Sequence, residues 1–532
     1  MKPTETTAKK RTMTESAAWV MFAKILAYSF SLVLPMLLVR RLSQSEFGLY
    51  KQAFLVIASA VSILPIGFGM SAFYFLPREK ERKGGIIFNI LLFNLLVGSV
   101  ALIALTLYPD FLANILIGAD IAAKEPQMKV QIITLAPLIG VVIFFWLFSN
   151  FLEIAALANQ ETKQATVFIV LAQFTKAALL LFAAISFSTV HALLYAALIQ
   201  GVLQTVILFS FLRTRFRGFW KQFDFQLLKS QFLYAFPYSV SGLIWTMQLD
   251  LHNYFVSHHF GQIGFAIYSV GVFQLPLFSI LGESIASVMI PQVSYLQSVD
   301  DRPEIIRLTV SAIRRLAFFY LPTYFFFWVM AREFIVAIFT EQYVAAVPIF
   351  LINITLLLTA MIHTDSIFRA YPELGRFGIK LQIVLLVVLF AGLWLAAKSN
   401  DLRLMIGVAV GTLVVGVLIT AFKAARTVGF KWKDFVLLKD VWKIVAAAMI
   451  AALGTFVVRH FMLPFNLKAL LMLCIGSAVF GSIYLIAVLL LRIPTDKEYE
   501  MVLSAVRRPL SVVRSRILSN GWRYKMQRTT DN

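Results

Sequence analysis

The sequence predicts an all-α, polytopic membrane protein of about 14 transmembrane helices: two six-helix lobes followed by two further C-terminal helices. Three observations predict it. Of 532 residues, 60% are hydrophobic and 14% charged, far from the balance of a soluble domain. The apolar residues fall in repeated runs near 20 residues long, the length that crosses about 30 Å of hydrocarbon. Lysine and arginine, finally, collect on alternate connections between those runs.

The runs lie near 16–39, 47–76, 86–108, 130–153, 165–187, 190–212, 233–256, 263–291, 313–338, 344–368, 378–397, 404–424, 441–462 and 468–491. Helices are the natural form, since in lipid each segment satisfies its own backbone amides. The run after Phe47 is long enough to contain a kink near Pro65, Gly67 and Gly69, and only Ser186 to Thr189 divides two others. Pro237, Pro276, Pro291, Pro322 and Pro348 are expected to kink or end helices. The resulting layout is a basic tail (1–15), a first lobe (16–212), a linker (213–232), a second lobe (233–424), two added helices (425–491) and a second basic tail (492–532). Leu, Val and Ile interleave with Arg507, Arg508, Arg514 and Arg516 in that last tail, a pattern suited to a membrane surface or to simple solvation.

Charge supports the segmentation. With the N-terminus inside and strict alternation, 36 of the 48 Lys and Arg fall on inside segments and 10 outside; Lys24 and Lys176 lie within spans. The expectation is a multi-pass membrane protein with both termini cytoplasmic. Its net charge of +21 reports on topology and on anionic membrane lipids, and requires no nucleic-acid partner.

Little else is available for chemistry. The single cysteine, Cys474, permits no intrachain disulfide and no thiolate cluster, and no cofactor or metal is expected. The six histidines have no metal-ligand spacing, and His258 and His259 read as a solvated outside turn. There is no phosphate-binding glycine loop and no Gly-x-Ser-x-Gly elbow. The longest outside connection, Tyr108 to Val130, is too short for a catalytic domain. A helical bundle that moves something fits better than an enzyme.

A short internal repeat accompanies the lobes. Gln44, Phe47 and Tyr50 after the first run match Gln262, Phe265 and Tyr268 after the seventh in spacing. Two halves of six spans that both start inside would be parallel repeats about an axis normal to the bilayer.

The segment Arg41-Leu42-Ser43-Gln44-Ser45-Glu46-Phe47-Gly48-Leu49-Tyr50 resembles the opening signature of bacterial polysaccharide biosynthesis membrane proteins. These are oligosaccharide flippases of the multidrug/oligosaccharidyl-lipid/polysaccharide exporter superfamily. Tyr234 to Pro237, Asp250, Gly264 to Tyr268 and Ile290-Pro291 resemble the opening of its second lobe. The resemblance implies alternating access and, as cargo, a glycan linked to undecaprenyl pyrophosphate. It also implies glycosyltransferases and a polymerase or ligase as partners.

Charges inside spans are costly and tend to face the bundle interior. Lys176, too deep to snorkel easily, and Lys24 are the expected cationic wall for a pyrophosphate or acidic sugar. Arg40 and Arg41 end the first span, as exit-side contacts or interfacial anchors. In the second lobe Glu283 could couple transport to protons or serve packing. Asp250 is expected near the outer end of span seven, and Asp365 and Arg369 are spaced to pair on one helix. Two other functions remain open at this level: a cation-coupled small-molecule antiporter of the same superfamily, which would favour acidic cavity residues, and a non-transporting scaffold for polysaccharide synthesis.

Overall fold

The computed structural model describes residues 33–79, 81–465 and 467–493. The α-helices are α1 (33–39), α2 (Gln44–Ile63), α3 (Ser71–Arg78), α4 (Lys83–Leu107), α5 (Pro109–Leu116), α6 (Ala119–Lys124), α7 (Pro126–Ala158), α8 (Thr162–Ser186) and α9 (Val190–Arg215). The chain continues through α10 (Phe225–Gly271), α11 (Pro276–Ser298), α12 (Arg302–Phe339), α13 (Val347–Ile354), α14 (Leu356–Ala360) and α15 (Asp365–Ala370). It closes with α16 (Pro372–Ala397), α17 (Leu402–Val428), α18 (Lys439–Met462) and α19 (Ala469–Leu490). Short polar residues start several of these helices by capping free amides: Ser43 accepts from Glu46, Thr189 from Ala192, Asp224 from Leu227 and Asp301 from Glu304.

Eleven helical stretches among the described residues are long and apolar enough to cross a membrane. They correspond to eleven of the fourteen expected runs. The run at 16–39 lies mostly outside the described residues. The runs at 233–256 and 263–291 take a different form from the one expected. Helix α10 runs on past residue 256 and breaks within the expected gap between the two runs, at Gly261, whose φ of 65° is open to glycine and strained for other residues. A second break at 272–275 separates it from α11.

Two other runs are also interrupted. The expected kink after Phe47 falls at 64–67, where Ile66 and Gly67 take positive φ. Ser239 of α10 donates to the carbonyl of Ile66 there, so the freed backbone is satisfied. The run at 344–368 is divided at Thr355 and again at 361–364. Thr355 and Thr359 bond back to carbonyls three residues earlier, which competes with the regular ladder.

Helix α10 lies antiparallel along α2 and α3 and meets α4, with polar side chains forming rungs on that seam. Asn89 donates to Gln231 at 3.0 Å, and Gln231 to Ser71 at 3.3 Å. Ser59 donates to Asp250 at 2.7 Å, Gln52 to Ser257 at 2.9 Å and Ser45 to Gln262 at 2.6 Å. At the Gln262 end Gly48 lets the backbones touch: a Cβ there would run into the Gln262 carbonyl. The main apolar core continues across this region, joining Phe47, Ile57 and Leu135 to Phe334, Tyr343 and Phe350. Helices α18 and α19 pack on α12, with Ala447, Ala448 and Ala451 giving the close approach that small residues allow.

Candidate functional site

Helices α7, α8 and α9 are apolar apart from a few polar positions at helical spacing. Trp146, Ser149, Asn150 and Glu153 follow i, i+3, i+4, i+7 on α7, Gln173 and Lys176 share a face of α8, and Gln200 and Gln204 lie one turn apart on α9. The fold turns all three stripes toward one cavity of about 430 Å³. Lys176 lies about 21 Å along α8 from its start and about 15 Å from its end, at 1.5 Å per residue. Its ammonium sits 4.5 Å from the centre of the Trp146 ring. That ring is fixed by a 3.0 Å hydrogen bond from its Nε1 to the Ala197 carbonyl. Gln204, 1% exposed, has an amide nitrogen with no hydrogen-bond partner. Cation, amides and hydroxyl, with the Glu153 carboxyl among them, suit a hydrated polar group at mid-depth, and an unpaired buried donor is costly unless something fills the space.

At the end of the bundle that carries the 108–129 connection, the two halves of the chain are tied together reciprocally. From the first half, the Arg40 guanidinium donates to the carbonyls of Ala337 (2.7 Å) and Ile338 (2.8 Å) at the close of α12, and Gln44 donates to the Gln342 carbonyl at 2.7 Å. From the second half, His258 Nδ1 lies 3.1 Å from the Ile115 carbonyl at the close of α5, and Gln262 donates to Gln131 at 2.9 Å. Gln44 and Gln262, spaced alike in the internal repeat, therefore each reach into the opposite half. His258 and His259 are helical residues of α10 and not a solvated turn.

The expected site residues do not form one cluster. Lys176 faces the α7–α9 cavity. Asp250 is a rung of the α2–α10 seam, about 16 Å before the break at Gly261 and so deeper than expected, because α10 runs on past the anticipated end. Arg40 belongs to the reciprocal contacts, and Arg41 is exposed. Glu283 is exposed on α11, next to Gly282 in the wall of a second cavity of about 650 Å³. Asp365 and Arg369 pair at 2.8 Å, and Lys24 lies outside the described residues.

Sequence reasoning missed the amides around Lys176, although Gln200 and Gln204 at i and i+4 inside an apolar run were the available signal. It also did not single out Lys51 or Arg459. Lys51 lies in α2, its ammonium 5.4 Å from the Phe47 ring, and Arg459 in α18 pairs at 2.7 Å with Glu333, which is 3% exposed. No group of three or more His, Cys, Asp or Glu able to hold a metal occurs among the described residues.

The profile of a family described as polysaccharide biosynthesis protein matches residues 13–348, well over half of the chain. The chain belongs to that family. No curated protein matches it. In fold, this polysaccharide biosynthesis protein is similar to a lipid II flippase, MurJ, in an inward closed conformation (TM-score 0.67, 15% identity, 90% of this chain and 99% of that one). It is also similar to an inward-facing multidrug resistance MATE family transporter of the MOP superfamily (0.60, 17%, 75% and 94%). A third similar structure is a MOP superfamily transporter from Pyrococcus furiosus Vc1 described by the reversed polarity of its binding pocket (0.53, 16%, 80% and 96%). The chain thus has the fold of MOP superfamily transporters, a multi-pass helical membrane architecture.

Proposed function

We propose that this polysaccharide biosynthesis protein is a flippase that carries a lipid-linked oligosaccharide, or a polysaccharide precursor, across the bacterial cytoplasmic membrane by alternating access. In this reading the chain has two six-helix lobes and two additional helices, both termini are cytoplasmic, and the end bearing the reciprocal contacts faces outward. The observation that carries the cargo class is Lys176: an ammonium at mid-depth in a cavity whose polar lining is otherwise Ser149, the amides of Asn150, Gln173, Gln200 and Gln204, Trp146 and the Glu153 carboxyl. In a low-dielectric setting that charge favours a phosphate, pyrophosphate or acidic sugar over an organic cation. An undecaprenyl-pyrophosphate glycan has such a group beside sugar hydroxyls that amides can bind. Glycosyltransferases would supply the cargo, and a polymerase or ligase would use it.

The test is leaflet translocation of a labelled undecaprenyl-pyrophosphate oligosaccharide by purified protein in proteoliposomes. The parent should translocate it, and Lys176→Ala should lose at least tenfold in rate while keeping its melting temperature. Equal rates in the two proteins would remove Lys176 from the path. A folded parent that moves no lipid-linked glycan would defeat the flippase reading.

A further inference from the structure

Two segments of the chain repeat each other at a place unconnected with the cavity. Gly218-Phe219-Trp220-Lys221-Gln222-Phe223 leads into Asp224-Phe225-Gln226-Leu227-Leu228-Lys229. Gly429-Phe430-Lys431-Trp432-Lys433 leads into Asp434-Phe435-Val436-Leu437-Leu438-Lys439. Both follow a long helix, α9 or α17, and both precede another, α10 or α18. Both open on a left-handed glycine, with φ of 70° at Gly218 and 79° at Gly429. Both pass through a 3-10 segment, Phe219–Lys221 or Trp432–Leu438.

The two copies divide their side chains in the same way. The phenylalanine after the glycine turns inward: Phe219 joins the core beside Ile86 and Ile87 at the start of α4, and Phe430 packs on the core containing Ile305 and Ile306 at the start of α12. Each aspartate accepts from a nearby backbone amide, Asp224 from Leu227 and Asp434 from Lys431, and Asp224 also meets Arg82. What remains outward is aromatic and basic. Trp220, Phe223 and Phe225 are half or more exposed in one copy; in the other Trp432 is 88% exposed, with Phe435 and Val436 beside it. Lys221 and Lys229, and Lys431, Lys433 and Lys439, are exposed among them.

Rings this large would lose free energy facing water on a short connection at the end of a membrane helix. Tryptophan and phenylalanine beside lysine instead match the headgroup region, where rings sit at the acyl boundary and ammonium groups meet lipid phosphates. We propose that the two segments are paired docking surfaces for anionic phospholipid, gripping one leaflet at the end of each set of helices that they close. The proposal requires only that the chain spans a bilayer and is independent of the cargo.

The full-length protein in bilayers of phosphatidylglycerol and phosphatidylcholine tests it. The fluorescence difference between parent and Trp432→Phe isolates Trp432. That difference should be quenched by lipid brominated high on its acyl chains and protected from aqueous iodide; the opposite pattern would overturn the proposal. The triple variant Lys431→Gln, Lys433→Gln, Lys439→Gln should retain phosphatidylglycerol over phosphatidylcholine on the order of tenfold less well in native mass spectrometry. Unchanged retention would overturn it as well. So would shielding of Trp432 that arises only when cytoplasmic extract is added, since the surface would then serve a protein.

Discussion

At the residue scale, charges inside the bundle are handled in two ways. Lys176 is left facing a polar cavity, whereas Glu333 is neutralised by Arg459 from α18, with one of its oxygens still unpartnered. Removing one member of a buried pair strands the other, at about 3–5 kcal/mol, while removing both can be nearly neutral. Arg459→Met should therefore lower the melting temperature in detergent sharply, and Glu333→Gln with Arg459→Met should recover much of the loss. A double variant no better than the single would mean that the pair contributes through packing alone. Lys176 could be singled out from sequence because one lysine in an apolar run is conspicuous. The Glu333 pair could not, because its partner is 126 residues away on another helix.

At the element scale, α10 shows where periodicity stops being informative. Its break at Gly261 falls in the gap that hydropathy marks between two runs, but the second break, at 272–275, lies inside an unbroken apolar run that gives no sign of it. Its start is better specified. Asp224 caps α10 through the Leu227 amide and also meets Arg82. The Leu227 amide first, and the Arg82 guanidinium after it, hold the Asp224 carboxyl below the usual range. A depressed carboxyl contributes stability in full above the ordinary value of about 4, and that contribution disappears as pH falls through the folded-state value. Asp224→Asn, which keeps a capping oxygen without the charge, should melt at a temperature less dependent on pH below about 4 than the parent. Identical acid profiles would show that the charge is not used.

At the scale of the whole molecule, the membrane class, the near-20-residue spacing and the family signature were legible because hydropathy and loop charge are summed over many residues. The cavity and the seam were not, since each depends on which faces of distant helices meet. The Gln44–Gln262 repeat lay between. Its spacing was visible, but the sequence gives no sign that each copy reaches into the other half. If opening that end of the bundle is part of transport, those contacts must part in every cycle. In a Cys474→Ser background, Ser45→Cys with Gln262→Cys joined by a short cleavable thiol crosslinker should stop transport, and cleavage should restore it. Transport that continues through the crosslink would show that this end stays closed throughout.

The α2–α10 seam also bears on biogenesis. A ribosome delivers α2, α3 and α4 to the bilayer long before α10. Until α10 arrives, Gln52, Ser59, Ser71 and Asn89 lack the partners that they have in the finished fold, and such groups are costly in hydrocarbon. The early helices should thus remain beside the insertion machinery, or within reach of membrane proteases, until α10 is made. Nascent chains stalled just before Phe225 should be degraded faster than chains stalled after Gly271, and equal lifetimes would mean that the early helices find other partners for their polar groups.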